Sequence, residues 1–166
     1  AIAAAAGGRV LRSGAPARRV VTDSRLVQPG DCFVALTGEN FDAAYGHAQT
    51  LARERNLVFI HPYDDPLVMA GQGTVALEML EDAPEIDMLV LPVGGGGLGS
   101  GMGTIARAIK PDIGLIGVEA ELYPSFWNAL RGENRPIGGP TLAEGIAVKN
   151  VGRLTLPVVR ALVSDL

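Results

Sequence analysis

Residues 91–101 read LPVGGGGLGSG: Leu91, Pro92 and Val93 close an apolar run, Gly94, Gly95, Gly96 and Gly97 follow, and Leu98 opens a helical pattern. Consecutive glycines lose much backbone entropy on folding and give nothing to a core. At a strand-to-helix junction they let backbone N–H groups converge at the positive end of a helix dipole, with no Cβ atoms in the way. Such a junction holds an anion, phosphate above all, without any basic side chain. A tight turn needs fewer glycines than Gly94, Gly95, Gly96, Gly97, Gly99 and Gly101 together, so the stretch reads as a phosphate cradle. It is not a Walker loop, because no Gly-Lys-Ser/Thr follows. It also departs from the Rossmann setting, where Glu119 would have to serve as the ribose carboxylate.

Outward from the loop, strands alternate with helices. DMLVLPV before the loop and IGLIGVEA after it read as buried strands, and the helix between them runs from about Leu98 to Ile109. Further upstream, residues 43–56 form a helical pattern with Asp42 as N-cap, LVFIHP is a third buried strand, and PLVMAGQGTVALEMLED is an apolar helix over 66–82. Asp65 before Pro66 reads as the cap of that helix, with proline at its first position. Downstream, YPSFWNALRG is a short helix and RLTLPVVRALVSDL an amphipathic, helical tail. The alternation predicts an α/β fold, a parallel sheet with helices on both faces. The opening differs: an Ala-rich helix end over residues 1–6, then short strands in RVLRSG, ARRVVTDS and DCFVALT.

Composition narrows the function. The chain has 166 residues, 48% of them hydrophobic and 19% charged, which is the balance of a globular protein. A net charge of −4 with no basic stripe argues against nucleic acid as partner. No apolar run approaches a membrane span and no leader precedes residue 9, which together imply a cytoplasmic protein. The one cysteine, Cys32, excludes internal disulfides and Cys-rich zinc sites and reads as a buried thiol; the two histidines make a His-built metal site unsupported. Lys110 and Lys149 are the only lysines.

Four segments in order, FIHPYDDPLVMAGQGTVALEMLED, VLPVGGGGLGSG, IGVEAE and TLAEGIAVKNVGRLTLPVVRALV, resemble the threonine dehydratases (threonine ammonia-lyases). These belong to the fold-type II pyridoxal-phosphate enzymes, alongside serine racemase. The resemblance covers about residues 38–166 and implies the large-domain part of such an enzyme over 43–166. It implies that Gly94, Gly95, Gly96, Gly97 and the Leu98 amide hold the phosphate of pyridoxal 5'-phosphate, with Gly145 beside the cofactor ring. This chain has Glu144 where the family's Ala-Asp-Gly segment carries aspartate. Glu119 matches a carboxylate that binds a divalent cation in racemase-like members, but Tyr123 and Ser125 stand where a further carboxylate is expected, so no metal is implied.

The lysine that forms the family's Schiff base lies upstream of this segment, as does the loop that seats the substrate carboxylate. Lys110, beside Pro111, and Lys149, in IAVKN, correspond to positions without that role. His61, Asp64 and Asp65 show no convergent partner for acid–base work, and Phe126 and Trp127 read as packing residues.

The front reads differently. VVTDSRLVQPGDCFVALTGENFD resembles the N-terminal domain of the Mur ligases, of the type that adds D-alanyl-D-alanine to a UDP-linked muramoyl tripeptide. That resemblance implies a β-rich segment over residues 1–42 that contacts a UDP-sugar through Ser24 and Arg25. The pentapeptide at residues 38–42 is common to both families, so the expected architecture is a chimera joined there. Three functions follow as alternatives: a dehydratase-like piece that keeps the phosphate cradle but is inactive alone, an active lyase completed by a missing segment, or a non-catalytic scaffold. Strand edges left open would favour a homo-oligomer.

Overall fold

The computed structural model describes Val20, Val21, Arg25, Gln28, residues 30–34, Thr37, Gly38 and residues 41–166. The expected helix end at residues 1–6, the strand in RVLRSG and Ser24 lie outside them. The chain divides into two compact units, one up to Ile60 and one from His61 to Leu166.

In the first unit, β1 (Val20–Val21) pairs in parallel with β2 (Cys32–Phe33), Val20 opposite Cys32. Cys32 is a free thiol and is half-buried rather than buried. Helix α1 spans Phe41–Glu54, so Asp42 sits in its first turn instead of capping it. The helix stops at Asn56, which turns left-handed at φ 50° while the Leu57 N–H donates back to the Ala52 carbonyl at 2.8 Å. Tyr45 on α1 meets Phe59 edge-on at 5.4 Å. The expected strand LVFIHP is irregular from Leu57 to His61, and Val58 and Ile60 are 90% and 62% exposed. Its β-branched residues favour a pleated surface, but no described strand lies beside them to complete a ladder.

The second unit builds the core. Helix α2 covers Pro66–Asp82, and its capping residue is Asp65, whose Oδ1 accepts the N–H groups of Leu67 and Val68 at 2.7 and 3.1 Å. Strand β3 (Met88–Pro92) leads through the glycine run into α3 (Gly97–Ile109), which returns to β4 (Gly114–Val118). The strands pair in parallel, Val90 opposite Ile116. They are followed by α4 (Ser125–Arg131), a short 3-10 turn (Glu144–Ile146) and α5 (Thr155–Leu162). After α5 the tail runs extended rather than helical, and it adds to the free edge of β4 through Ser164 N–H to Leu115 O and Gly117 N–H to Asp165 O, both 2.8 Å.

Leu89 and Leu91 of β3 face inward with Leu115, against Ala76 and Leu80 of α2 and Met102 and Ala106 of α3. A second cluster gathers Val93, Phe126 and Val159, all fully buried. The alternate residues Met88, Val90 and Val118 are 52%, 62% and 46% exposed, so the strands expected to be wholly buried are half-buried.

The glycines within the helices mark close packing. A Cβ on Gly101 would overlap the Met69 carbonyl oxygen and lie 2.7 Å from the Gly73 nitrogen, so α2 and α3 cross backbone to backbone. Gly71, between Met69 and Gly73 but on the opposite face of α2, faces open space. Gly101→Ala should therefore force the helices apart and lose about 3 kcal/mol, whereas Gly71→Ala should gain about 0.5–1 kcal/mol from helix propensity. Urea unfolding of the two variants checks the opposite signs.

Candidate functional site

The glycine run is built from both sides. Val93 N–H bonds to Val118 O at 2.8 Å, which ends the strand ladder, and Gly94 to Gly97 are all buried. Gly96 adopts φ 88°, a left-handed conformation open to glycine, and precedes the first residue of α3. Each glycine of the run has a neighbour where a side chain would be. A Cβ on Gly94 would meet the Ile146 backbone at 2.9 Å, one on Gly95 the Tyr63 ring, and one on Gly97 the Tyr63 backbone at 2.9 Å. On Gly96 it would meet Phe126 at 2.5 Å and Thr155 at 2.8 Å.

The segment His61-Pro62-Tyr63-Asp64-Asp65 holds this arrangement together. His61 Nδ1 accepts the N–H groups of Tyr63 and Asp64 at 3.3 and 2.9 Å, which curls the loop. Tyr63 lays its ring on the glycine run and donates its hydroxyl to Asn150 O at 3.0 Å. Asp64 reaches ninety residues along the chain. Its Oδ1 accepts from Leu154 and Thr155 at 2.7 and 3.3 Å, and its Oδ2 accepts from Arg153 at 3.0 Å, so it caps α5. No side chain of the α5 cap position does this.

Helix α4 is capped in the same manner. Glu119, at the end of β4, accepts the N–H groups of Phe126 and Trp127 at 2.6 and 2.8 Å. Burial pushes its carboxyl above the usual range, and the helix N–H groups that favour the charged form only partly oppose this. Its oxygens are thus occupied by a helix end, and among the described residues no His, Cys, Asp and Glu cluster could hold a metal ion. Trp127 is packed between the guanidinium groups of Arg131 and Arg135, 3.8 and 4.3 Å from the ring centre, and donates to Glu133. The Trp127 and Arg135 donors hold the exposed Glu133 carboxyl below its usual range.

Helix α3 differs from its three neighbours: among the described residues, no side chain accepts an N–H of its first turn. Its first helical hydrogen bond is that of Ser100 N–H to the Gly96 carbonyl at 2.9 Å. Among the described residues, no acceptor faces the N–H groups of Gly94, Gly95, Gly96, Gly97 and Leu98. Buried donors of this kind are usually satisfied by a water, an ion or a ligand. Gly145 lies in the 3-10 turn whose Ile146 touches Gly94, and its own would-be Cβ faces open space. The structure therefore brings Gly94, Gly95, Gly96, Gly97, Leu98 and Gly145 into one place. Arg25 is exposed in the first unit.

Residues 4–166 match the family described as pyridoxal-phosphate dependent enzyme. The chain belongs to that family. It is 46% identical over 135 residues to an L-threonine ammonia-lyase of Geobacter sulfurreducens, covering 80% of this chain and 33% of the relative. A catabolic L-threonine dehydratase, TdcB, of Staphylococcus aureus is 35% identical over 181 residues, covering 99% of this chain and 52% of that protein. Among solved structures, maize serine racemase superposes with a TM-score of 0.69 at 33% identity, covering 82% of this chain and 43% of that one. Threonine deaminase isoform 2 of Solanum lycopersicum gives 0.69 at 35% identity, covering 81% and 37%. The chain thus spans about a third to a half of the curated relatives it matches. The family match begins at residue 4 and runs unbroken past the pentapeptide at 38–42, so the comparisons give no support to a Mur ligase segment or a chimera.

Asp64, Tyr63, Thr155, Ser100 and Ser125 were not identified as site residues from the sequence. Their partners are remote in the chain: Thr155 Oγ1 donates to Gly95 O at 2.7 Å, Ser100 Oγ to Thr155 O at 3.3 Å, and Ser125 Oγ to Val148 O at 2.5 Å. The raised Glu119 carboxyl has a measurable consequence. Ionising it weakens the folded state, so its contribution is full below the unfolded-state pKa and is lost as pH rises through the raised folded value. Glu119→Gln mimics the neutral form and should flatten that part of the stability profile, as urea titrations between about pH 4 and 8 would record.

Proposed function

We propose that this chain is the phosphate-holding part of a threonine ammonia-lyase-type enzyme, binding pyridoxal 5'-phosphate by its phosphate end and inactive by itself. The observation that carries this is the row of N–H groups from Gly94 to Leu98 that no described residue accepts, the four glycines buried and Leu98 half-buried, in a run whose glycines admit no Cβ. Those amides bind the phosphate, the α3 dipole adds to the attraction, and Gly145 leaves room for the ring. When bound, the cofactor supplies an electron sink for charge that develops at the substrate Cα.

The chain's own residues hold and orient, but none is placed to move a proton at that carbon. Lys110 is engaged at the far end of α3, where its Nζ donates to Pro84 O and Ile86 O at 2.9 and 2.5 Å. Lys149 is exposed on the turn after Val148. Relatives named threonine ammonia-lyase and dehydratase support the reaction class of the whole enzyme, elimination of ammonia from threonine or serine, as in isoleucine biosynthesis.

The open face of Met88, Val90 and Val118 favours a second reading, in which an additional segment completes an active lyase or a second copy associates there. Absence of a helix long and apolar enough to cross a membrane, among the described residues, is compatible with a cytoplasmic setting. The domain boundary near residue 42 and a UDP-sugar contact through Ser24 and Arg25 rest on the Mur-like motifs alone. A UDP titration that gives no heat would retire them.

Titrating the chain with pyridoxal phosphate, followed by absorbance and by competition with inorganic phosphate, should show binding at one site and no turnover of threonine. Gly96→Ala, which strains φ 88° and overlaps Phe126 and Thr155, should weaken it by about tenfold or more. A folded wild-type chain that binds neither ligand would sink the proposal. A borohydride-stable adduct on Lys110 or Lys149, with turnover, would overturn the inactive reading.

A further inference from the structure

Of the two hydroxyl residues in the second unit with no exposure, Ser100 and Thr155, the second lies against the glycine run. Thr155 is the first residue of α5, is fully buried, and donates its Oγ1 hydrogen to Gly95 O at 2.7 Å. It is held there from two directions. Its own N–H and that of Leu154 donate to Asp64 Oδ1, and its carbonyl accepts from Ser100 Oγ of α3. The hydroxyl is therefore not one rotor among several on a mobile surface but the end of a braced chain from Asp64 to the loop.

We propose that Thr155 is a positioning residue for the anion cradle, its hydroxyl fixing the Gly95 carbonyl so that the Gly96 N–H faces the phosphate. The peptide between Gly95 and Gly96 is trans, so its C=O and N–H point in opposite directions. Holding the oxygen toward α5 turns the N–H away from α5. That N–H is one of the donors with no acceptor among the described residues. Glycine on both sides of this peptide sets little backbone preference of its own, so its orientation depends on what its neighbours hold. The hydroxyl supplies the orientation that two glycines cannot. Asp64 acts one step further out: by capping α5 it sets the height of Thr155 against the loop.

This inference rests on the phosphate reading of the same loop, and the experiment separates the two. The full 166-residue chain, labelled with nitrogen-15 and carbon-13, is titrated with inorganic phosphate and then with pyridoxal phosphate. Wild type, Thr155→Val, Thr155→Ala and Thr155→Ser are compared, with thermal unfolding as the check that each is folded. The expected result is a Gly95 carbonyl shift and a Gly96 amide shift that change in Thr155→Val before any ligand is added. Affinity for both ligands should fall about tenfold, the loss of one well-directed hydrogen bond to a charged oxygen. Thr155→Ser keeps the hydroxyl and should restore both the shifts and the affinity to within about twofold. If Thr155→Val proves unfolded, Thr155→Ala carries the same comparison, because it removes the donor without adding bulk.

A folded Thr155→Val or Thr155→Ala with wild-type Gly96 shifts and wild-type affinity overturns the positioning role and leaves the phosphate reading standing. A loss of affinity that Thr155→Ser does not recover also overturns it, since packing would then be responsible. A wild type that binds neither ligand removes the phosphate reading and this proposal with it.

Discussion

The second unit is organised by a difference between helix ends. Four helices begin there, and three have their N-terminal N–H groups taken by carboxylates: α2 by Asp65, α4 by Glu119 and α5 by Asp64. The fourth, α3, begins in the glycine run and has none. Every helix leaves its first N–H groups to be satisfied by something. That partner comes from within the chain three times, and at the α3 end no described side chain supplies it. Packing follows from this, because an uncapped end with no Cβ atoms must be shaped by neighbours, and Tyr63, Phe126, Ile146 and Thr155 do so.

Those neighbours arrive by different routes. Tyr63 and Asp64 come from the loop before α2, Phe126 from α4, Ile146 from the 3-10 turn and Thr155 from α5. Asp64 is the link between them, since one carboxylate fixes the start of a helix some ninety residues away while the adjacent ring covers the loop. The core beneath is ordinary: alternate apolar residues of β3 and β4 under α2 and α3, drawn close at Gly73 and Gly101. The opposite face of the strands carries Met88, Val90 and Val118 in the open, consistent with a chain that covers only part of its relatives' length.

The sequence was most legible where the signal is local. The strand, glycine run and helix over residues 88–109 could be read directly, as could Asp65 followed by Pro66, because the cap and its N–H partners lie within three residues. It was least legible where an apolar, β-branched run needs a neighbour to become a strand. LVFIHP has the composition of one and is irregular, with Val58 exposed. The Mur-like motifs of residues 20–42 show the same weakness: a short run of turn and strand residues also falls within the family match that spans residues 4–166.

By itself, then, the sequence determined the strand, the glycine run and the helix that follows it, because glycine content and apolar periodicity are local properties that need no third dimension. Tertiary structure decided which groups make that loop a site. Asp64, Tyr63 and Thr155 are unremarkable in the linear chain, and only folding brings a carboxylate, a ring and a hydroxyl from positions 63–64 and 155 against Gly95. The physical reason is that capping and hydrogen bonding act over about 3 Å in space, whatever the separation along the backbone.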